Sequence, residues 1–335
     1  MVQQQQPAAQ GIPVLDPKIQ DFLDQLAAHE GPPIYTLTPD EARSALLRMQ
    51  SGFVRKPDVQ VEDRNVGSGP RALRLRIVRP HPVIDGGPVI MYFHGAGWVM
   101  GDPTTHDRLV RELAVGASAT VVFVDYDRAP EHGYPVAIEE AYAATLYVSE
   151  HAEEFRVDET RLAVAGDSVG GNMATIVSLL AKQRSVPTIA GQLLFYPVTN
   201  ADFETGWYKQ FADGPWLRDW PCSGSGTSIF RTTTSARIPP RLRCWRRRTN
   251  SLAYRALIIT AENDVLRDEG EAYGRKLIEA GVEVVSTRYN AAIHDFVLLN
   301  SLAEAAPTRA AVTQAVNFLK SVLAAKPNRE KHEQM

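Results

Sequence analysis

Three residues far apart along the chain carry side chains that could share one piece of chemistry. Ser168 stands in Gly166-Asp167-Ser168-Val169-Gly170-Gly171. An apolar run, Leu162 to Ala165, precedes it, and a run with helical spacing, Asn172 to Lys182, follows. This fits G-x-S-x-G, a strand, a sharp turn and a helix with a nucleophilic hydroxyl at the apex. Small neighbours are needed because the turn brings strand and helix close together. The hydroxyl is expected to project into solvent above the strand ends. The helix N-terminus behind it supplies positive partial charge where an oxyanion would form. Asp264 comes just after the apolar stretch Leu257 to Thr260, where a carboxylate can orient a histidine and stabilise its cation. His294 follows the next alternating stretch and is placed to take the proton of Ser168 and return it to a leaving group. Each feature alone has an ordinary explanation: a glycine-rich turn, a surface acid, a solvated loop histidine. Asp268 and Glu269, close to Asp264, read as acids that cap the next helix.

A fourth element would complete acyl-transfer chemistry. His94-Gly95-Ala96-Gly97-Trp98 follows the apolar stretch Val89 to Phe93. A glycine-rich loop at the end of a strand can turn backbone N–H groups toward one point, and the N–H of Val169 would join them.

These residues need a scaffold, and the hydrophobic pattern supplies one. Strands are expected at Val59–Val66, Ala72–Val78, Val89–Phe93, Thr120–Val124, Leu162–Ala165, Ala190–Tyr196, Ala256–Thr260 and Val282–Arg288. The first two read as a partly exposed edge pair. Helical spacing covers Asp16–His29, Pro39–Met49, Ala137–Val148, Asp268–Ala280 and Thr308–Ala324. Thr38-Pro39-Asp40-Glu41 is a helix start, with a capping hydroxyl, Pro in the first turn and two acids. Strands alternating with helices imply an α/β fold with a mainly parallel, doubly wound sheet. Ser168, Asp264 and His294 each fall at a strand-to-helix junction, in the chain order of the α/β-hydrolase triad.

Bulk properties narrow the function classes. The 335 residues carry a formal net charge of -3, which points to no nucleic-acid partner. No apolar run approaches the roughly 18 residues of a membrane span, so stable membrane insertion is not expected. The start, Met1 to Pro7, lacks the basic and apolar regions of a secretory signal, and a cytoplasmic enzyme is expected. Two cysteines, Cys222 and Cys244, define neither a metal cluster nor a disulfide framework.

The motifs together resemble the hormone-sensitive-lipase-like family of carboxylesterases, the bacterial GDXG esterases. His94 to Trp98 is similar to H-G-G-G-W, with Ala96 in place of a glycine, and Gly166 to Gly171 to G-D-S-A-G-G, with Val169 in place of alanine. Tyr126 to His132 resembles Y-R-L-A-P-E-H, with Asp127 and Arg128 differing. Asp264 to Gly270 resembles D-P-L-R-D-E-G, and His294-Asp295-Phe296 resembles H-G-F. The likeness covers about residues 15–220 and 255–325. It implies an α/β-hydrolase core, 51–199 and 226–325, under a helical cap from 1–50 and about 200–225, with a tail at 326–335. It implies Ala96, Gly97 and Val169 as oxyanion donors, Gly95 shaping their loop, and Ser168, Asp264 and His294 as the triad. The implied reaction is hydrolysis of short- to medium-chain acyl esters, with no metal or organic cofactor. An amidase or lactonase on the same triad, or a non-catalytic ligand-binding protein, is the alternative. A homodimer through a terminal helix and an edge strand is left open.

One stretch breaks the pattern. Trp220 to Tyr254 has no Asp or Glu, seven arginines between Arg231 and Arg248, and both cysteines. It could be a basic binding arm. The reading we favour is a shifted reading frame in the gene or in its recorded sequence. In the shifted frame, codons for Cys222–Ile229 can encode Phe-Trp-Phe-Trp-Asp-Gln-Tyr, and those for Arg237–Arg246 can encode Asp-Pro-Thr-Ala-Ser-Pro-Leu-Leu-Ala. Both strings resemble family segments before the Asp264 strand. An intact mass that matches the given residues means that the polypeptide really carries the segment.

Overall fold

A computed structural model of the chain describes residues 13–28, 31–67, 72–200 and 254–324. Eight strands form one sheet in the order β1-β2-β4-β3-β5-β6-β7-β8. They are β1 (Val59–Val66), β2 (Leu73–Pro80), β3 (Gly87–Phe93), β4 (Thr120–Val124), β5 (Val157–Asp167), β6 (Gly191–Phe195), β7 (Arg255–Asn263) and β8 (Glu283–Ile293). The first two pair antiparallel with each other, and β2 pairs antiparallel with β4. Every later pairing is parallel. The alternation of apolar strands with helices read from the sequence therefore gives a doubly wound sheet with an antiparallel edge pair.

Two apolar layers clothe the sheet. Period-two side chains send Ile90, Tyr92, Val121 and Phe123 to one face, where α3 (Asp107–Ala117) and α8 (Ala306–Leu323) cover them. Val89, Met91, Phe93, Val122 and Val124 point to the other face, beneath α4 (Val136–Glu150), α6 (Val169–Arg184) and α7 (Arg267–Glu279). All seven residues of β3 are buried, as a central strand covered on both sides must be. A short helix, α5 (Ala152–Phe155), leads into β5. The pattern reading omitted α3, although Leu109, Val110, Leu113, Ala114 and Ala117 have helical spacing and are buried. It also began β5 late, since Asp158 to Arg161 are polar, and ended β8 at Arg288, short of the buried Ala292 and Ile293.

The two leading helices are α1 (Pro17–Ala28) and α2 (Pro39–Met49). Thr38 caps α2 in a full capping box with Glu41, a motif that typically stabilises by ~1 kcal/mol. Ile19 of α1 is wholly buried with the α3–α8 layer. Arg43 fastens α2 to the core. Its guanidinium donates to the carbonyls of Val99 (2.8 Å) and Ala129 (2.9 Å) and, through both NH groups, to the Glu131 carboxylate (2.8 and 2.7 Å). The remaining parts of the expected cap, about 200–225, and the segment from Trp220 onward lie outside the described residues apart from Asn200 and the terminal residue Tyr254, as does the tail 326–335.

Candidate active site

The parallel register brings the chemistry to one rim. Phe93 pairs with Gly166, Asp167 with Phe195, and Asn263 with Ile293. The loops leaving β3, β5, β7 and β8 therefore all start at the carboxyl edge of the sheet, where doubly wound folds place their sites. Ser168 follows the last residue of β5, with φ 52° and ψ -117°, and α6 begins at the next residue. Such a backbone costs of order 1–3 kcal/mol and must be held by its surroundings. Here Ser168 N–H donates to Phe195 O at 2.9 Å, and Val198 N–H donates to Ser168 O at 3.0 Å. A Cβ on Gly166 would come within 2.3 Å of Gly170 O, and one on Gly170 within 2.0 Å of Phe93 O. Only glycine fits at either position. Contrary to the sequence expectation, the serine does not project into solvent: it is 6% exposed.

The three candidate residues meet. His294 Nε2 is 3.1 Å from Ser168 Oγ, and His294 Nδ1 is 2.8 Å from Asp264 Oδ2. Asp264 Oδ1 accepts from Leu266 N–H at 2.9 Å, which fixes the carboxylate. Asp264 and His294 are buried, at 1% and 3% exposure. Burial pulls the imidazole pKa down, but the charges of Asp264 and Asp295 and the Asp264 hydrogen bond outweigh it, so the imidazolium is favoured. With Nδ1–H donated to Asp264, a neutral ring presents its Nε2 lone pair to the serine hydroxyl. The ring of Tyr196 lies 4.7 Å from that of His294 and limits its tilt.

The loop after β3 is tied to the elbow by Asp167. The carboxylate Oδ1 accepts from Gly95 N–H at 3.1 Å and from Tyr92 O–H at 2.7 Å, and Oδ2 lies 3.4 Å from His106 Nε2. Burial would raise the Asp167 pKa. The attraction of His106, with hydrogen bonds from His106 and Tyr92, holds it below the ordinary carboxylate value. A Cβ on Gly95 would sit 2.2 Å from Asp167 Oδ2. Ala96, Gly97 and Trp98 all have positive φ (67°, 70° and 60°), a tight left-handed run that turns the loop back over the elbow. Ala96 adopts this conformation at a cost that glycine would not carry. Burial, joined by the nearby His106, drives the pKa of His94 far down, so that ring is neutral under the loop.

The sequence assigned two side chains to the wrong partners and left others unnoticed. Glu269 lies in the first turn of α7, but its side chain does not cap that helix. Its Oε1 accepts from Thr199 N–H (2.7 Å) and Asn200 N–H (3.1 Å), in the loop leaving β6. Asp268 is drawn to the guanidinium of Arg267 (2.9 Å) rather than to a backbone N–H. Asp167 was visible only as the second letter of a motif, and Asp295 as a departure from one. Among the described residues, no cluster of three or more His, Cys, Asp or Glu side chains is placed to hold a metal, and no helix is long and apolar enough to cross a membrane.

The chain is similar to known proteins. A family model described as alpha/beta hydrolase fold matches residues 90–298. The chain is 36% identical over 305 residues to the carboxylesterase NlhH of Mycobacterium tuberculosis, covering 85% of this chain and 89% of that protein. It is 34% identical over 284 residues to an ethyl acetate hydrolase of Pseudomonas putida, covering 82% and 88%. The crystal structure of a thermostable esterase from Pseudomonas putida superposes with a TM-score of 0.87 at 45% identity, covering 94% of this chain and 100% of that one. Fold, motif order and these likenesses agree: the chain belongs to the hormone-sensitive-lipase-like family of α/β-hydrolases, and it is a carboxylic ester hydrolase.

Proposed function

We propose that the protein is a serine carboxylesterase that hydrolyses short- to medium-chain acyl esters in the cytoplasm through an acyl-enzyme. The observation that carries this reading is the run of two short contacts, Ser168 Oγ to His294 Nε2 and His294 Nδ1 to Asp264 Oδ2, at the apex of a strained elbow. Ser168 Oγ bonds to the ester carbonyl carbon while its proton passes to His294 Nε2. The carbonyl π pair moves to oxygen, where the N–H groups of Ala96, Gly97 and Val169 receive it. As the tetrahedral centre collapses, the C–O bond to the alcohol breaks and His294 gives its proton to the departing oxygen. Water repeats the sequence on the acyl-enzyme and frees the acid. Asp264 holds the ring tautomer and stabilises the imidazolium. No metal or organic cofactor is required by these steps. A short acyl group is supported by the likeness to an ethyl acetate hydrolase.

The test is Ser168→Ala against p-nitrophenyl esters of rising acyl length, with matching anilides and lactones as comparison. Ester turnover should fall by about 10⁴-fold or more in the variant. The wild type should prefer short acyl esters over anilides and lactones. Wild-type rates in the variant would remove the serine from the mechanism. Faster anilide or lactone turnover would make the protein an amidase or lactonase on the same residues.

A further inference from the structure

We propose that Asp295 is a second carboxylate acting on His294, facing the nitrogen that exchanges its proton with Ser168 while Asp264 holds the other nitrogen. This rests on the triad reading above. Asp295 Oδ1 is 3.5 Å from His294 Nε2, and Ser168 Oγ is 3.1 Å from the same atom. Asp264 Oδ2 is 2.8 Å from Nδ1. The ring is thus flanked by carboxylates at both nitrogens. The backbone is shaped for this: Asp295 has φ 63°, a region few side chains occupy and Asp or Asn tolerate best. Its carbonyl accepts from Leu298 N–H (2.8 Å) and Leu299 N–H (3.0 Å), which fixes the turn. Its side chain is 19% exposed, so water screens the charge only in part.

The consequence follows from the proton's position. In the neutral ring the Nε2 lone pair meets the serine hydroxyl, and a nearby carboxylate gains nothing. Once Nε2 has taken the proton, its N–H lies beside that carboxylate. Asp295 therefore favours the imidazolium that forms as Ser168 attacks, and makes His294 the stronger base. It also leaves a smaller fraction of the ring neutral at lower pH. Other groups face the ring from other elements: Asp264 beyond β7, Ser168 at the elbow, the Tyr196 ring beyond β6, and Asp167 acting through its charge from the end of β5. Asp264 and Asp167 raise the imidazole pKa along with Asp295, against the opposing effect of burial. Of the charged groups among the described residues, Asp295 is the one in contact with Nε2.

The experiment compares wild type, Asp295→Asn and Asp295→Gly between about pH 5.5 and 10, a range that brackets a raised imidazole pKa. Asn keeps the shape and tolerates the backbone, and Gly relaxes it. Two rates are read: kcat/KM on p-nitrophenyl acetate, and labelling of Ser168 by a p-nitrophenyl phosphonate followed by mass. In both variants the acid limb of each profile should move down by about one pH unit. The profiles should cross: with base strength only partly expressed in rate, the variants run about threefold faster well below the limb and about threefold slower on the plateau. An acid limb that coincides with wild type in Asp295→Asn overturns the proposal, including the case of a uniform loss of rate, which marks a purely structural role. Failure of wild-type Ser168 to label would instead remove the triad reading itself.

Discussion

The carboxylate of Asp167 accepts the backbone N–H of Gly95 at 3.1 Å, so the residue before the candidate nucleophile also anchors the loop that would bind the oxyanion. The two halves of the site leave different strands, β5 and β3. Their relative position is set by this buried contact, with Tyr92 O–H donating to the same oxygen and His106 beside the other. Elbow and loop therefore shift together or not at all, and preorganisation of this kind is what gives backbone donors their catalytic worth.

That coupling makes Gly95 a sensitive position. Its φ is not in the left-handed region, so the constraint is space alone: an added Cβ meets Asp167 Oδ2 at 2.2 Å and Asp167 O at 2.9 Å. Gly95→Ala must push the loop away from the elbow. We expect kcat on a short-chain p-nitrophenyl ester to fall by about 10²–10³, the usual loss for one misplaced oxyanion donor. Far-ultraviolet circular dichroism should stay unchanged. Wild-type kcat in this variant would show that the loop supplies no donor.

The pH dependence follows from the carboxylates around His294. Burial opposes the charged ring, but Asp264 and Asp295 prevail and raise its pKa above the ordinary value near 6.5. A general base must be neutral, so the rate is low while the ring is protonated and grows as pH rises through the raised pKa. The acid limb of kcat/KM should therefore lie above pH 6.5. Asp264→Asn should lower the limb and cut kcat by about 10⁴, because Asn cannot hold the productive tautomer. A wild-type limb at or below 6.5 would contradict the charge arrangement, and an Asp264→Asn variant with near-native kcat would assign the orienting role elsewhere.

What could be read from the sequence was local. Ser168, Asp264 and His294 each follow a short apolar run, and the junction between a strand and a helix is visible within about ten residues of chain. The eight strands were visible for the same reason, with β5 begun late at its polar start, Asp158 to Arg161, and β8 ended before its buried last residues, Ala292 and Ile293. The supporting contacts are not local. Asp167 and Gly95 are 72 positions apart, and Arg108 reaches a carbonyl 190 positions away. No period or motif spacing encodes such a pair. Glu269 shows the same limit: an acid in a first helical turn is normally read as serving its own helix, and here its side chain reaches instead to the loop leaving β6. The helical spacing of α3 was legible, and its omission hid the element that carries Arg108.

Arg108 is the group on which the His294 loop rests. It is 1% exposed, in the first turn of α3. Its guanidinium donates to the carbonyls of Val297 and Leu298, the latter at 2.9 Å, and its Nε donates to Asn300 Oδ1 at 3.1 Å. Glu112 pairs with it at 3.0 Å, and Gln50, from the end of α2, bonds Asn300 and Leu298 from the opposite side. A buried cation is costly unless every donor is used, and this one caps carbonyls that the turn after His294 leaves without helical or strand partners. Arg108→Met keeps the length and apolar stem but removes the guanidinium from the Val297 carbonyl, while Leu298 O keeps Gln50 Nε2 (3.0 Å) and Glu112 keeps Arg309 (2.8 Å). We expect a stability loss of about 1–3 kcal/mol, read as a lower urea midpoint at unchanged slope. Because the released turn begins one residue after His294, kcat should fall more than KM rises, and Arg108→Lys should recover stability only in part, since an ammonium lacks the planar fork. A midpoint equal to wild type in Arg108→Met would mean that the turn holds itself without the cation.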